Sequence, residues 1–561
     1  MNDMEKMGIP QKEELSNNSS FIDHKAEVVS NNDLESFSSG KDASVNVDAP
    51  VGPKEVVTLP FKQLMLVFVG LCLGVFLSSL DQTIVSVCTK EIANQFNSMK
   101  EIPWIGTAYL LTSTAFQPLY GRFSDIFGRK PTFLFAIGIF LVGSALCGAA
   151  QSMVMLIVAR GIAGVGAGGI FSSVMIILTD IISLRDRGRY QGIIGAVFGV
   201  SSVVGPLLGG VFTDHASWRW AFYINLPIGA ITLVAVIKLL HLPHVGGSMK
   251  EKLLRIDFLG SLTLIVGLVM ILLPLNWGGS TYAWNDPLII GLFCGGFAIL
   301  GLFCLVEWKQ AVEPIIPFHL FKDRTNNAVF VCSLFIGCGM FGMMFFIPIY
   351  FQVVKGESAT AAGLETIPLI VGLLLSSISS GIMVAKWGQI RPFIWIGLAL
   401  STVGCGLLGL LKESSSRGAT IGILFVPGLG IGMCMQTIML AIQSSVGPAD
   451  IAVATAVATF FRTVGSVLGV AICGTVFNNK LKDSLAGLIA QNPSIVAVIS
   501  NSDLAGQWGP EIKQQILDSY MDALHLAFLI NVPFMAVALL ASLFIRHIKL
   551  RKAGPAPPPM E

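Results

Sequence analysis

Two ionisable residues, Asp81 and Arg160, stand inside stretches that hold almost no other charge. A carboxylate in the middle of an apolar span costs about 2.5–3.5 kcal/mol on insertion-based scales, and residues placed there usually mark a proton or substrate path. Asp81 reads either as a proton carrier or as a hydrogen-bonded structural residue near the outer end of the first apolar stretch. Arg160 cannot shed its charge and must find an anion, a cluster of carbonyls or water. At a depth comparable to Asp81, it would tune a proton site there; a fixed ion pair, or bonds to helix carbonyls, is the alternative. Pro206 interrupts a helical hydrogen bond among Gly205, Gly209 and Gly210, a pattern that suits a hinge or a tight seam as well as plain small-residue packing. Arg462 is a candidate for coupling between two parts of the molecule. Tyr109, Gln117, Asn225, Phe345, Gln436 and Arg462 are the candidate substrate-facing residues. Asn276, Gln443 and Asn531 could serve the same end or simply join helices, while Phe116, Phe341, Phe346 and Phe460 could line an aromatic pocket or pack in a core. Glu365 reads as a solvated helix-end residue and His525 as an interhelical one.

The elements that must position these residues are membrane spans. The chain has 561 residues, of which 53% are hydrophobic and 12% charged. About 20 mostly apolar residues cross ~30 Å of hydrocarbon. The chain repeats that unit about fourteen times, at 64–87, 104–120, 131–150, 153–181, 190–212, 220–240, 257–276, 287–307, 328–351, 361–385, 392–411, 418–441, 453–477 and 521–545. The expected fold class is all-α: a polytopic membrane protein with two six-helix halves and two inserted helices between them. Lys and Arg gather in alternate short loops (Arg122, Arg129 and Lys130; Arg185, Arg187 and Arg189; Lys250, Lys252 and Arg255), which places those loops and both termini in the cytosol.

Residues 1–60 are polar and poor in large apolar side chains, a composition of disordered chain, and lack the apolar core and cleavage site of a secretory signal. The first half is expected over 61–245, the inserted pair over 246–310 and the second half over 311–550, with a cytosolic tail at 551–561. An outside loop at 478–520 is long enough for short surface helices. The loop Gly121-Arg-Phe-Ser-Asp125-Ile-Phe-Gly128 has a weak counterpart at Gly381-Ile-Met-Val-Ala385-Lys386-Trp-Gly388, as expected of halves related by a repeat. The ten cysteines are scattered singly, without a CxxC pair, and read as buried free thiols; no metal and no cofactor are indicated. The basic residues form no patch for nucleic acid.

The segment Gly121-Arg-Phe-Ser-Asp125-Ile-Phe-Gly128-Arg129-Lys130 is the strongest motif. Its glycines suit close helix approach, Asp125 can accept hydrogen bonds or cap the next helix, and Arg129 and Lys130 suit an anionic membrane face or pairing across to the other half. The segment resembles the signature loop of the major facilitator superfamily. Leu80-Asp81-Gln82-Thr83, Arg160-Gly161-x₂-Gly164-x-Gly166 and Gly205-Pro206-Leu-Leu-Gly209-Gly210 resemble the acidic, buried-arginine and Gly-Pro motifs of its drug:proton antiporters with fourteen spans. So does the stretch Trp218-Arg219-Trp220-x₂-Tyr223-Ile-Asn225-x-Pro227. The similarity covers most of 60–550 and looks closest to fungal toxin and drug efflux pumps. Two departures matter: Ser201 stands where the Gly-Pro motif often begins with Gly, and the thirteenth span lacks the carboxylate some relatives use for cationic drugs. The resemblance implies a monomeric antiporter in the plasma membrane that exports small apolar or amphipathic compounds against protons, with Asp81 and Arg160 coupling and Gly121, Asp125, Gly128, Arg129, Lys130, Gly205, Pro206, Gly209 and Gly210 gating. A siderophore carrier or a vacuolar basic-amino-acid carrier of the same superfamily is the alternative. No GxxxxGK[ST] loop exists to bind ATP, and no clustered nucleophile and base suggest an enzyme.

Overall fold

The computed structural model describes residues 60–548, apart from 97, 99–100, 241, 243–244, 280–281, 310–312, 493–494 and 496–508. The expected tails, 1–60 (apart from Pro60) and 551–561, and the middle of the 478–520 loop lie outside the described residues. Thirteen helical segments among the described residues are long and apolar enough to cross a bilayer. The first half holds α1 (Phe61–Phe96), α2 (Ile102–Phe127), α3 (Arg129–Gly148), α4 (Met153–Ile181), α5 (Arg187–His215) and α6 (Asn225–Leu239), the last preceded by the short helix Trp220–Tyr223. The inserted pair is α7 (Phe258–Trp277) and α8 (Pro287–Lys309), which pack on each other, with α7 resting on α2. The second half holds α9 (Arg324–Ile349), α10 (Ile367–Trp387), α11 (Arg391–Leu408), α12 (Arg417–Ser445), α13 (Ile451–Gln491) and α14 (Pro510–Leu529, continued by Asn531–Ser542).

The helix α2 is not among the thirteen, although it is 26 residues long and holds the expected span 104–120. Thr107, Thr112, Ser113, Thr114 and Gln117 dilute its apolar character. It sits inside the bundle, against α4 and α13, where those polar groups meet protein rather than lipid. The outside of the bundle is apolar in the complementary way: Phe135, Val142, Val158, Ile231, Phe297 and Leu305 are exposed, as lipid-facing side chains are.

Several helices overrun the expected spans. The helix α1 continues to Phe96 rather than stopping near position 87, so Asp81 lies well inside a helix even though the apolar part ends at Val85. Of the 478–520 loop, where surface helices were expected, the described ends are extensions of two spans: α13 runs on to Gln491 and α14 begins at Pro510. All ten cysteines are free, but Cys294 and Cys304 on α8 are exposed and Cys72 is half-buried, so the expectation of uniform burial is corrected there.

Candidate functional site

The glycines of α4 bring Arg160 to its partners. A Cβ on Gly164 or Gly168 would run into the α2 backbone at Tyr109 and Ser113, and one on Gly166 would meet the α3 backbone at Phe140. The bare faces let α2 and α3 pack closely on α4. Arg160 is thereby held 1% exposed, with its Nε donating to the Ile105 carbonyl at 2.9 Å and its Nη1 donating to Asp81 Oδ2 at 2.5 Å. The other Asp81 oxygen accepts from Asn225 Nδ2 at 2.8 Å, and that amide also donates to Ser144 Oγ at 3.2 Å. The guanidinium lies 4.2 Å from the Tyr109 ring centre, and the Tyr109 hydroxyl donates to the Ser78 carbonyl at 3.0 Å. Asp81, Asn225 and Ser144 are fully buried. The two ionisable residues singled out from the sequence therefore form one ion pair. Asn225, expected to face substrate, is instead the clamp on its carboxylate.

A cavity of about 830 Å³ lies between the halves, beside this cluster. Tyr109, Gln117, Phe345, Gln436 and Arg462 all line it, as does Phe341; Phe346 and Phe460 are buried in the core instead. Asp81 is not in the lining, but its neighbours Ser79 and Gln82 are, and Tyr109 separates the cavity from Arg160. The inserted helix α7 adds Leu275 and Asn276, with Asn276 Oδ1 accepting from Thr107 at 2.9 Å. Asn276 was among the amides expected to face substrate or join helices, and it does both; Leu275 carried no signal in the sequence. The sequence reading also missed Thr463 and Ser466, which follow Arg462 on the same helix and carried no signal beyond that spacing. Glu365 is paired with Arg417 at 2.7 Å, and Gln443 and Asn531 are tied to protein groups. His525 bonds the Leu411 carbonyl, three residues past the end of α11, so it ties α14 to a loop rather than to a second helix.

At the end of the bundle that carries the signature loop, the halves are in contact. A Cβ on Gly121 would sit 3.0 Å from Ala456 Cβ and 3.2 Å from Val453 Cα, both on α13. The repeat counterpart, Gly381 on α10, abuts the Gly188 carbonyl on α5. The two repeat loops thus make matching seams, α2 on α13 and α10 on α5. Arg122 Nε donates to the Pro314 carbonyl at 2.5 Å, Arg185 Nη2 donates to the Lys386 carbonyl at 2.7 Å, and Gln191 Nε2 donates to Gln443 Oε1 at 3.0 Å. The cavity runs the other way, to Thr89, Gly279 and Asn478 at the opposite end. Gly128 has φ 98° and ψ 158°, a backbone region open essentially to glycine alone, and it caps neither helix through a side chain. Asp125 does not cap α3 either; it accepts from Arg129 at 2.5 Å, and Arg129 also reaches Asp180 at 2.8 Å. Lys130 donates to the Ile237 carbonyl at 2.7 Å. All of these partners belong to the first half, so the expected pairing of Arg129 and Lys130 across to the second half is corrected. Around Pro206, Gly205 abuts Thr83, Gly209 would place a Cβ 2.6 Å from the Ile84 carbonyl, and the Thr83 hydroxyl donates to the Ser201 carbonyl at 3.0 Å. A Cβ on Gly210 would meet open space.

Two helical halves that touch at one end and enclose a cavity open to the other define a membrane carrier. The chain belongs to the Major Facilitator Superfamily, whose family model matches residues 71–470. It is 36% identical over 503 residues to the MFS-type efflux pump MFS1 of Arthroderma benhamiae, covering 88% of this chain and 94% of that protein. It is 34% identical over 527 residues to the MFS-type efflux pump LUC4 of a Fusarium species, covering 91% of this chain and 92% of that one. Among solved structures, the human organic anion transporter MFSD10 superposes with a TM-score of 0.56 over 87% of this chain and all of its own length, at 14% identity, which speaks for the fold alone.

Proposed function

We propose that this transporter is a proton-coupled antiporter that exports small apolar or amphipathic organic compounds by alternating access. The observation that carries the reading is the Asp81–Arg160 pair, sealed from the cavity by Tyr109 and held on its far side by Asn225. Protonation of Asp81 removes one charge of that pair, frees the guanidinium and loosens the tie between α1 and α4. Uptake of a proton thereby biases the packing of the first half, and with it the cavity wall that α1, α2 and α4 form. The signature-loop contacts, Gly121 on α13 and Gly381 on α5, are the gate at one end, and the Gly205–Gly209 face of α5 is the surface on which α1 shifts. The names of the two relatives supply the direction, since each is called an efflux pump. In this reading the signature loop and both termini face the cytosol, the cavity faces outside, and a single chain in the plasma membrane does the work. A vacuolar basic-amino-acid carrier is disfavoured, because among the described residues the cavity lining holds no carboxylate.

The test is transport of lipophilic fluorescent compounds in vesicles of purified protein. An imposed proton gradient should drive their movement, and a protonophore should stop it. Movement indifferent to the gradient would remove proton coupling from the proposal.

A further inference from the structure

Arg462 projects from α13 into the cavity with no acid beside it. None of the hydrogen bonds or ion pairs among the described residues uses its side chain, and its one recorded contact is the Phe171 ring, 5.1 Å from the guanidinium carbon to the ring centre. The other arginine by the cavity, the buried Arg160, is fully engaged with Asp81 and Ile105. Among the described residues of the lining there is no Asp, Glu, Lys or His, so Arg462 is the single formal charge on the wall. The rest of the lining is mostly apolar, with Phe171, Met175, Phe198, Phe341 and Val467 among its residues. Beside it, the Thr463 hydroxyl donates to Gln117 Oε1 at 3.1 Å, which leaves the Gln117 amide nitrogen able to donate toward the cavity.

A cation kept in an apolar site without a counter-charge is costly, and the cost falls when an anion arrives with its own apolar body. Guanidinium is suited to that task, because its planar fork matches a carboxylate in two parallel bonds. We infer that the cargo of this cavity is an amphipathic organic anion, a carboxylate or an equivalent acid on an apolar scaffold, whose charged end docks on Arg462 beside Gln117. The volume of about 830 Å³ falls in the range of sites that enclose drug-sized molecules. The inference rests on the carrier reading and narrows its substrate class; it does not depend on proton coupling.

The experiment uses full-length protein purified in detergent and three apolar scaffolds, pyrenyl, naphthyl and a long alkyl chain. Each is offered at neutral pH as the carboxylic acid, the methyl ester and the primary amine, and binding is read from tryptophan quenching or displacement of a bound fluorescent acid. A charge-assisted bond made in a desolvated site favours the acid over its ester by about tenfold or more. Arg462→Gln should bring the acid down to the level of the ester and leave the ester unchanged, while Arg462→Lys should retain part of the preference. If no acid binds better than its ester on any scaffold, or if the preference survives Arg462→Gln, the inference is overturned. Should Arg462→Gln fail to fold, the comparison of acid, ester and amine on the parent chain decides alone. The same compounds in vesicles separate the two readings. A preference for acids without gradient-driven flux keeps the anion site and removes the antiporter; gradient-driven flux without that preference does the reverse.

Discussion

Replacing Asp81 by Asn removes the anion from Arg160 and leaves it buried among neutral groups only: an amide oxygen at position 81, the Ile105 carbonyl at 2.9 Å, and the Tyr109 and Phe222 rings at 4.2 and 5.8 Å. Breaking a buried ion pair by deleting one partner costs about 3–5 kcal/mol, most of it the burden of the charge left behind. Asp81→Asn should therefore lower the unfolding free energy by that amount, a shift of roughly 100-fold or more in the folding equilibrium. Arg160→Gln differs, because its stranded carboxylate still accepts from Asn225 and can be neutralised by a proton, whereas an arginine cannot be. Its deficit should shrink as the pH is lowered, and that of Asp81→Asn should not. In the double variant no unpaired charge remains, so stability should return to within about 1 kcal/mol of the parent chain, giving a coupling energy of a few kcal/mol. The assay is unfolding in detergent across a pH series, followed by the reactivity of buried thiols such as Cys88 and Cys147, which open only when the bundle does. A loss below about 1 kcal/mol for Asp81→Asn, or additive single and double variants, would refute the claim that this pair holds α1 to α4.

Three further outcomes follow from the packing. The left-handed φ of 71° at Gly388 is one that Asn tolerates, but φ 98° and ψ 158° at Gly128 is not. Gly388→Asn should thus unfold at nearly the parent temperature, while Gly128→Asn should lose about 1–3 kcal/mol in the same scan. Gly381→Val forces side-chain atoms into the Gly188 carbonyl and should pry the halves apart at the signature-loop end. Spin labels at positions 185 and 386, placed after exposed Cys294 and Cys304 are changed to Ser, should then report a longer distance than in the parent chain. Gly205→Ala overlaps Thr83 and should destabilise the α1–α5 seam by about 1–3 kcal/mol; adding Thr83→Ala should restore only part of this, because Thr83 Cβ itself stands 2.8 Å from the new methyl position.

Much of the fold was legible because a lipid-facing helix must be apolar over a fixed length, so hydropathy alone locates it. The exception, α2, is instructive: its Thr, Ser and Gln residues face the cavity and neighbouring helices, and the function of the helix is what erodes its signal. Helix ends were misjudged where α1 and α13 run on as helix past the expected spans, since a fall in hydropathy marks where a helix leaves the membrane and not where it ends. At the site, an acid and an arginine in spans one and four pointed to each other, because neither is stable there alone. The role of Asn225 was not legible, since an amide in a span serves equally well as clamp or as ligand. Nor was the Gln191–Gln443 bond, which joins residues 252 positions apart and depends on the register of α5 against α12. The destination of Arg129 was ambiguous for the same reason: Asp125 was four residues away, but Asp180 is brought near only by the packing of α4.

The most direct test of proton-coupled export compares the parent chain with Asp81→Asn in vesicles holding a transported compound. Two rates are measured: net movement driven by a proton gradient, and exchange of labelled for unlabelled compound at equal pH. Coupling through Asp81 predicts that the variant loses gradient-driven movement and keeps exchange, since Asp81 itself is not part of the cavity lining. If gradient-driven movement persists in Asp81→Asn with the pH dependence of the parent chain, Asp81 is a structural partner of Arg160 and the proton travels elsewhere.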